Sequence, residues 1–390
     1  MEGTAARVKV LLSAGMIQGG RSGVGRYVIS LAEALVREHT EIDLFIAGLD
    51  SDRELFPWIE DDRWISIPAT AAGGLKNLLW HQSSLNGILS RLGMDVLHIP
   101  SYRRMLWCCE IPQVATIHDC APFILREKYD FARGFFGRTI VPVIARRVQR
   151  VIAVSEMTGK DVVRWMRVPK ERVTVISNGI DHQMFHPPTR EALQDFRVRK
   201  NLNRPFFLYV ARLEHPAKNH VRLIEAFEKL VKSGSFEGEL ILPGAPWHGS
   251  EVVERAVAAS SVRERIRLEG FVENADLPLW YAAAEALVFP SLMEGFGLPL
   301  LESQACGTRI ACADATSLPE VAGPAGILFD GLDSESIALA MARLSGMDDS
   351  ERRMREIQGI EWAGRFTWSA HAADAVRVYQ DVLGASKMRG

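Results

Sequence analysis

The chain has 390 residues, and its 46 Lys plus Arg nearly balance its 48 Asp plus Glu, for a formal net charge of −2. That balance excludes a globally basic nucleic-acid-binding protein, and the 47% share of hydrophobic residues excludes a disordered or collagen-like chain. The length predicts two or three domains, and five cysteines without a CxxC pair argue against a disulfide framework or a structural zinc site.

The first half of the chain alternates short β-branched apolar runs with longer amphipathic stretches. The runs predict strands at residues 8–12, 42–47, 96–99, 114–117, 151–154 and 173–176. Apolar residues at helical spacing predict a helix over Gly23–Arg37 and another between Leu75 and Leu92. Strands that alternate with helices indicate an α/β fold whose parallel sheet is covered on both faces.

The pattern breaks at residues 181–205, which are polar, contain three prolines and lack an apolar stripe. We interpret this segment as an interdomain connection that carries a short helix. A second series follows, with strands predicted at 206–210, 239–242, 266–268, 286–289, 309–311 and 326–329 and a helix at 221–230. The chain is therefore predicted to form two doubly wound halves joined near residue 190. Because open parallel sheets bind ligands beyond the carboxyl ends of their strands, we expect the site in a cleft between the halves.

A glycine-rich segment, GGRSGVGRY at residues 19–27, follows the first predicted strand and opens the first predicted helix. Its glycines let the backbone approach a ligand, and free N–H groups at a helix N-terminus attract phosphate. The spacing fits neither the dinucleotide-binding fingerprint nor the P-loop, so a plain tight turn explains the segment equally well.

Two cations, Arg212 and Lys218, lie in the predicted strand-to-helix loop that opens the second half. An arginine contacts a diphosphate through a forked pair of hydrogen bonds and a lysine as a point charge, so the pair suits a diphosphate ligand. The alternative is two solvated surface cations.

The segment PSLMEGFGLPLLE at residues 290–302 carries the most information. Pro299 is expected as the first residue of a helix that ends just before Gly307. Glu294 then falls in the preceding loop and Glu302 on the first helical turn. The helix dipole explains an acid on the first turn, but it does not explain a second acid in a glycine-rich loop. Because carboxylates accept paired hydrogen bonds from vicinal hydroxyls, we predict a sugar or ribose ligand.

His118 directly follows the strand predicted at 114–117, which would turn it towards the cleft. A single histidine at such a position is more often structural than functional, and both interpretations are kept.

The stretch from Phe131 to Ser155 contains five arginines and no acidic residue, interspersed with apolar residues. A basic, apolar helix can lie on an anionic membrane, or it can be a core helix with a cationic outer face. From the first interpretation we predict a peripheral contact with an anionic membrane through Phe131–Arg150. No apolar run is long enough to span a membrane, and the N-terminus lacks the apolar core of a secretory signal, so we expect a cytoplasmic protein, peripheral at the inner face of the membrane.

Together these motifs resemble the retaining GT-B-fold glycosyltransferases of family 4. The matching motifs are SGVGRY (22–27), TIHD (116–119), VIAVS (151–155), SNGID (177–181), ARLExxxKN (211–219) and the E-x7-E segment (294–302). The sequence FTW (366–368) and its helix resemble the family's C-terminal element, which crosses back to the N-terminal half. The resemblance implies an acceptor-binding domain at 1–188, a nucleotide-sugar-binding domain at 189–365 and a terminal helix at 366–390.

The resemblance also implies a role for each matching residue. Arg212 and Lys218 would hold the donor diphosphate, Glu302 the ribose and Glu294 the donor sugar. His118 would contact the reacting face of the sugar and Gly23 the phosphate side. The remaining donor contacts would come from Phe271, Val272, Phe296, Gly297 and Leu298, and the acceptor contacts from Tyr102, Arg103 and Arg126. The family typically needs neither a metal ion nor another cofactor. It often has glycine before the arginine, where this chain has Ala211.

The motif combination resembles a branch of bacterial polysaccharide transferases that includes many GDP-mannose enzymes. The resemblance therefore favours a hexosyltransferase that moves mannose from GDP-mannose onto a saccharide or lipid-linked saccharide in polysaccharide biosynthesis. Transferases that use UDP-glucose or dTDP-rhamnose remain open. So do a non-hydrolysing sugar-nucleotide epimerase of the same architecture and a binding module without turnover. No nucleic-acid partner is expected.

Overall fold

Parallel β-structure dominates both halves of the chain in the computed structural model, which describes residues 7–17, 19–20, 22–125 and 131–387. The chain divides into two units, Met1–Gly179 with Trp368–Gly390, and Ile180–Thr367. Each unit contains one parallel sheet with helices in its crossovers. The predicted α/β fold with two doubly wound, Rossmann-like halves is therefore confirmed.

The strands of the first unit are β1 (Val8–Ser13), β2 (Ile42–Leu49), β3 (Trp64–Ile67), β4 (Val96–Ile99), β5 (Gln113–Ile117), β6 (Arg150–Ala153) and β7 (Val173–Val175). Those of the second unit are β8 (Phe206–Leu208), β9 (Glu239–Pro243), β10 (Ile266–Gly270), β11 (Ala286–Phe289), β12 (Ile310–Ala313) and β13 (Ile327–Phe329). The first sheet has the order β3-β2-β1-β4-β5-β6-β7 and the second β10-β9-β8-β11-β12-β13. Their strands pair in parallel.

The helices up to residue 161 are α1 (Gly23–Glu38), α2 (Gly74–Leu92), α3 (Ala121–Ile124), α4 (Phe131–Phe135), α5 (Val141–Ala145) and α6 (Glu156–Asp161). The second unit contains α7 (Arg190–Arg199), α8 (His220–Lys232), α9 (Ser250–Ala259), α10 (Leu277–Ala283), α11 (Leu298–Ala305), α12 (Leu318–Ala322), α13 (Ser334–Ser345) and α14 (Asp349–Ala363). The last helix, α15 (Trp368–Lys387), belongs to the first unit. No helix among the described residues is long and apolar enough to cross a membrane.

Two differences between the predicted and the observed elements concern the organisation of the chain. The edge strand β3 was not predicted, because four residues that include an exposed serine give too short an alternation to recognise. The division between the units falls after Gly179 rather than after residue 188, because Ile180 pairs with Thr367 inside the second unit. Phe185 then packs against Tyr281 of the same unit. The predicted short helix in the connection is present as α7.

The first core joins α1 to the sheet and to α15. Leu31 and Leu35 of α1 are fully buried, as are Tyr379 and Ala375 of α15, and all four belong to one apolar cluster. Burying a leucine side chain contributes about 1.5–3 kcal/mol, so this contact is a major part of what holds the last helix in place.

A chain of buried hydrogen bonds also ties α15 to the first sheet. It begins at His371, whose Nδ1 lies 2.8 Å from the carbonyl oxygen of Ser177. Because a carbonyl only accepts, Nδ1 carries the proton, and Nε2 of the neutral ring accepts from the hydroxyl of Tyr27 at 3.1 Å. Tyr27 is 1% exposed, so its hydroxyl has protein partners in place of water.

The same series of hydrogen bonds continues to side chains of β5 and β4. Tyr27 has used its only proton, so Thr116 donates its hydroxyl to Tyr27 at 2.9 Å. Thr116 in turn accepts from Nε2 of His98 at 2.8 Å. The hydroxyl of Tyr379 then donates to Nδ1 of His98 at 2.8 Å. Every proton is thereby assigned, and both histidines are held neutral.

Acidification is expected to weaken the fold through these two histidines. Burial lowers the pKa of His98 to about 3 and that of His371 to about 4, from 6.5. Below about pH 6.5 the unfolded chain therefore binds protons that the folded chain does not, so stability is complete above that pH and falls as the pH drops. Each histidine costs about 1.4 kcal/mol per pH unit in this window. A thermal unfolding midpoint that stays constant from about pH 7 to about pH 5 would contradict the expectation.

Candidate active site

The order of the strands in the second sheet reverses between β8 and β11, and ligands of open parallel sheets bind at such a reversal. The loop after β8 contains Arg212 and Lys218, and the loop after β11 contains Glu294. The two loops are hydrogen-bonded to each other, since the backbone N–H of Leu292 donates to the carbonyl of Ala217 at 2.9 Å. Residues that are 76 positions apart in the sequence therefore meet at one edge of the sheet.

Lys218 and Glu294 form an ion pair at that edge. The Nζ of Lys218 lies 2.5 Å from Oε1 of Glu294, and the two side chains are 18% and 17% exposed. Partial burial makes this pair stronger than a surface salt bridge, because little water screens it. The structure therefore brings together two of the predicted site residues, a cation and a carboxylate that are both partly open to solvent.

Buried polar side chains fix the backbone beneath Lys218. The hydroxyl of Tyr209 donates to the carbonyl of Lys218 at 2.8 Å and accepts from Ser291 at the same distance. The side-chain amide of Asn219 donates to the carbonyls of Pro290 and Gly331, at 3.0 and 2.7 Å. Asn219 has φ of +59°, which asparagine tolerates better than most residues. Lys218 was predicted from the sequence as a site residue, but the two hydrogen bonds made by the side chain of Asn219 were not.

Arg212 lies beside an aromatic ring that sequence reasoning missed. Its guanidinium carbon is 4.6 Å from the ring centroid of Trp247, a cation–π distance. Its NH2 group also lies 3.6 Å from Oε2 of Glu214. The side chain of Arg212 is 51% exposed and Trp247 is 53% exposed, so both can reach a ligand.

Gly244 permits the loops after β8 and β9 to run side by side. A Cβ atom on Gly244 would lie 1.8 Å from the carbonyl oxygen of Ala211, the residue before Arg212. The N–H of Gly244 donates to Gly270 at 2.7 Å, so this glycine connects the ends of three strands. Its position directly after β9, ahead of a proline and a tryptophan, is the signal that could have identified it.

Glu302 lies deeper than the sequence predicted. Helix α11 begins at Leu298, so Pro299 is its second residue and Glu302 lies beyond the first turn, which has no acidic residue. The predicted first-turn position of Glu302 is therefore wrong, although the predicted end before Gly307 is confirmed by its φ of +79°. Glu302 is 2% exposed and accepts from the hydroxyl of Tyr281 at 2.8 Å.

The other predicted donor residues of the second unit lie at two strand ends. Phe296 is 6% exposed, so its side chain is buried. Gly297 has φ of +111° and precedes Leu298, the first residue of α11. Phe271 and Val272 follow β10, where Phe271 is 60% exposed.

In the first unit, His118 follows β5 as predicted. Its Nε2 lies 3.1 Å from the carbonyl of Pro100, and its ring packs edge-on against Tyr27 at 4.8 Å. Burial lowers the pKa of His118 to about 4, so the ring is neutral near pH 7. The contact with Pro100 places the proton on Nε2 and leaves Nδ1 as the acceptor atom of the ring.

The glycine loop of the first unit has a different steric requirement from the one predicted. Gly23 is exposed at the start of α1, and a Cβ atom there would contact nothing within 4 Å. At Gly25 a Cβ atom would lie 2.6 Å from the carbonyl oxygen of Ile17, so Gly25 is the position that requires glycine. Ser22 caps the helix by accepting from the N–H of Gly25 at 3.0 Å.

The proposed acceptor residues are described only in part. Tyr102 follows β4 and is 9% exposed, and the guanidinium of Arg103 lies 5.6 Å from its ring. Arg126 falls outside the described residues. Among the residues that the structure does describe, no group of three or more His, Cys, Asp or Glu side chains is arranged to hold a metal ion.

Two family models together cover most of the chain. Residues 21–184 match Glycosyltransferase Family 4, and residues 191–358 match Glycosyl transferases group 1. The boundary between the matches lies in the connection before and within α7.

The similarity to known proteins covers nearly the full length of the chain. An O-antigen chain mannosyltransferase B from Escherichia coli is 26% identical over 96% of this chain and 100% of its own. A D-inositol 3-phosphate glycosyltransferase from Thermobispora bispora is 27% identical over 94% and 91%. The structure of Anabaena HepE in complex with UDP and glucose shares the fold, with a TM-score of 0.75, 16% identity and coverage of 96% and 100%. The chain therefore belongs to the GT-B-fold glycosyltransferases of family 4, resembles bacterial polysaccharide mannosyltransferases, and is a hexosyltransferase.

Proposed function

We propose that the protein transfers mannose from GDP-mannose to a saccharide or lipid-linked saccharide acceptor, with retention of anomeric configuration. The observation that carries a nucleotide-sugar donor is the partly exposed Lys218–Glu294 pair, because one side chain suits a phosphate and the other suits sugar hydroxyls. The name of the E. coli relative, an O-antigen chain mannosyltransferase, supports mannose.

In this proposal the second unit binds the donor. Arg212 and Lys218 hold the diphosphate, and Lys218 turns from Glu294 to do so. Glu294 is then released to accept hydrogen bonds from the sugar, while Glu302 exchanges part of its contact with Tyr281 for the ribose hydroxyls. The backbone of Phe296–Leu298 contacts sugar and phosphate, with Phe271 and Val272 beside the base.

The chemistry follows from the charge that develops on the leaving diphosphate. Two protein cations stabilise that charge, so we propose that the reaction needs no divalent metal ion. The first unit supplies His118, which is neutral near pH 7 and therefore hydrogen-bonds the sugar through Nδ1 rather than donating a proton to it. We assign to Gly23 a contact with the phosphate side of the donor, and to Tyr102, Arg103 and Arg126 contacts with the acceptor. Retention is assigned to attack by an acceptor hydroxyl on the same face of the sugar from which the diphosphate leaves. The new bond from the acceptor oxygen to C1 replaces the bond from C1 to the diphosphate, and the leaving phosphate oxygen takes the proton of the hydroxyl.

A donor panel tests this function. The protein is incubated with GDP-mannose, UDP-glucose and dTDP-rhamnose, with and without EDTA, and binding and donor hydrolysis are measured. We expect GDP-mannose to bind tightest and EDTA to have no effect. Preference for another donor would overturn the choice of mannose, and loss of activity in EDTA would overturn the metal-free mechanism. Conversion of a nucleotide-sugar to its epimer without acceptor would indicate the epimerase, and no binding at millimolar concentration would reject a donor site altogether.

We further propose a peripheral contact with anionic membrane through Phe131–Arg150. The supporting observation is that Phe131 and Phe135 are 86% and 50% exposed and stack on each other at 6.3 Å, whereas the later residues Val141 and Ile144 are buried in the core. The stretch is thus a core helix at one end and an exposed aromatic surface at the other.

Removing the two exposed rings is expected to reduce membrane binding. The double variant Phe131→Ser and Phe135→Ser should lower the partition coefficient onto vesicles of anionic lipid about a hundredfold or more, because each ring contributes roughly 1.5–3 kcal/mol when buried and 1.4 kcal/mol is a factor of ten. Leu339→Ser, at a position 63% exposed in the second unit, is the matched control and should have no effect. Wild-type binding should also fall as salt rises. Equal sedimentation with anionic and neutral vesicles would refute an electrostatic contact.

A further inference from the structure

Thr316 has a backbone conformation that its side chain disfavours. Its φ is +51°, and a β-branched residue with positive φ is strained. The other non-glycine residues with positive φ among the described ones are Arg167, Asn201 and Asn219. Two of these are asparagines, which adopt the left-handed region more readily, and Arg167 ends a helical segment. Thr316 follows β12, inside a loop, so helix capping does not account for it.

The hydroxyl of Thr316 accepts the backbone N–H of Glu294 at 3.1 Å. That hydrogen bond joins the loop after β12 to the loop after β11, over 22 residues of sequence. It acts on the peptide group of the residue whose carboxylate meets Lys218, so it restricts the direction in which that carboxylate points.

Two neighbours of Thr316 hold the same loop. The hydroxyl of Ser317, which is fully buried, lies 3.1 Å from the carbonyl of Glu294 and 2.9 Å from that of Phe296, and can donate to either. The side chain of Leu318 lies 2.9 Å from where a Cβ atom of Gly297 would be. The segment 316–318 therefore holds the N–H of Glu294 and the carbonyls of Glu294 and Phe296, and Leu318 fills the space that a side chain at Gly297 would need.

We propose that Thr316 is a positioning residue for the donor sugar. Its hydroxyl fixes the peptide group of Glu294, and thereby the direction of the carboxylate that would bind the sugar. The inference rests on the proposed nucleotide-sugar donor and deepens it by one residue. A threonine that only filled a turn would be better replaced by glycine, which has no strain at this φ. The hydroxyl supplies what glycine lacks, an acceptor for the N–H of Glu294. The unit is therefore less stable with threonine at position 316 than it would be with glycine. In return, the hydroxyl of Thr316 fixes the geometry of the loop that contains Glu294.

Three variants of Thr316 separate the effect of the backbone strain from the effect of the hydroxyl group. Thr316→Gly removes both, Thr316→Val keeps the branched shape without the hydroxyl, and Thr316→Ser keeps the hydroxyl. We expect Thr316→Gly to raise the thermal unfolding midpoint while lowering kcat/KM for the nucleotide-sugar about tenfold, the effect of one lost hydrogen bond. Thr316→Val should lose activity to a similar degree, and Thr316→Ser should stay within about twofold of wild type.

Binding of the nucleoside diphosphate alone is the discriminating readout. It lacks the sugar that Glu294 would contact, so its affinity should be the same in all three variants, whereas general damage to the unit would weaken it. Thr189→Val is the matched control, because Thr189 also accepts a backbone N–H, that of Ala192 at 3.2 Å, but does so at the start of α7. It should not change kcat/KM.

The positioning role of Thr316 and the proposed function can be contradicted independently of each other. Wild-type turnover with unchanged kcat/KM in Thr316→Gly and Thr316→Val would overturn the positioning role and leave the proposed function intact. Wild-type protein that binds no nucleotide-sugar would overturn both. A parallel loss of nucleoside diphosphate binding would show that Thr316 serves only the structure of the unit.

Discussion

Glu294→Gln is expected to lower kcat/KM for the nucleotide-sugar about a hundredfold, since hydrogen bonds to a charged group contribute about 1.5–3 kcal/mol. The amide has the shape of the carboxylate but lacks the charge that pairs with Lys218, and its NH2 group donates where a sugar hydroxyl also donates. Steady-state kinetics at saturating acceptor would measure the loss. Lys218→Met should have an effect of similar size, but mainly through weaker binding of the diphosphate.

A second lysine–glutamate pair of the same unit provides the control. Lys229 and Glu335 lie 3.1 Å apart, but their side chains are 46% and 60% exposed, far more than those of Lys218 and Glu294. Glu335→Gln should therefore leave kcat/KM unchanged within about twofold, because exposed pairs contribute little. Activity of Glu294→Gln close to that of wild type would remove this carboxylate from the mechanism.

Gly244→Ala is expected to destabilise the second unit by about 3 kcal/mol and to lower its unfolding midpoint by roughly 6–12 °C. The added methyl group would lie 1.8 Å from the carbonyl oxygen of Ala211, so the backbone of one loop must move. Because Ala211 precedes Arg212, we also expect weaker binding of nucleoside diphosphate. Thermal unfolding and titration with the nucleotide would measure the two effects.

The control for this substitution is a glycine with open space around it. Gly87 lies exposed within α2, and a Cβ atom there would contact nothing within 4 Å. Gly87→Ala should be neutral or should stabilise by up to about 1 kcal/mol, since alanine favours helix more than glycine does. Equal midpoints for Gly244→Ala and wild type would show that the loops adapt to a side chain at this position.

Local pattern was enough to predict most strands and the loops that end at the candidate site. Arg212, Lys218 and Glu294 were predictable because each lies in the loop that follows a buried apolar strand, and parallel strands bring their carboxyl ends to one edge. Glu302 was placed one residue too early in the helix, because nothing local distinguishes a proline at the first helical position from one at the second.

The residues that sequence reasoning missed act between loops that are distant in sequence. Gly244 is required by a carbonyl 33 positions earlier and Thr316 by an N–H group 22 positions earlier. Neither contact leaves a periodic pattern in the sequence. The hydrogen bond between His98 and Tyr379 spans 281 residues, so only the folded structure could reveal that both side chains belong to one series of buried hydrogen bonds.

The composition of the first unit from two separated segments has a consequence for synthesis on the ribosome. Residues 180–367 are contiguous, so the second unit can fold as soon as they have been made. The first unit begins earlier but must wait for α15, which supplies Tyr379 and His371 to its core and to its buried hydrogen bonds. Until then, the hydroxyl of Tyr27 and the ring of His98 each lack one partner. The unit that is translated first is therefore the unit that is completed last.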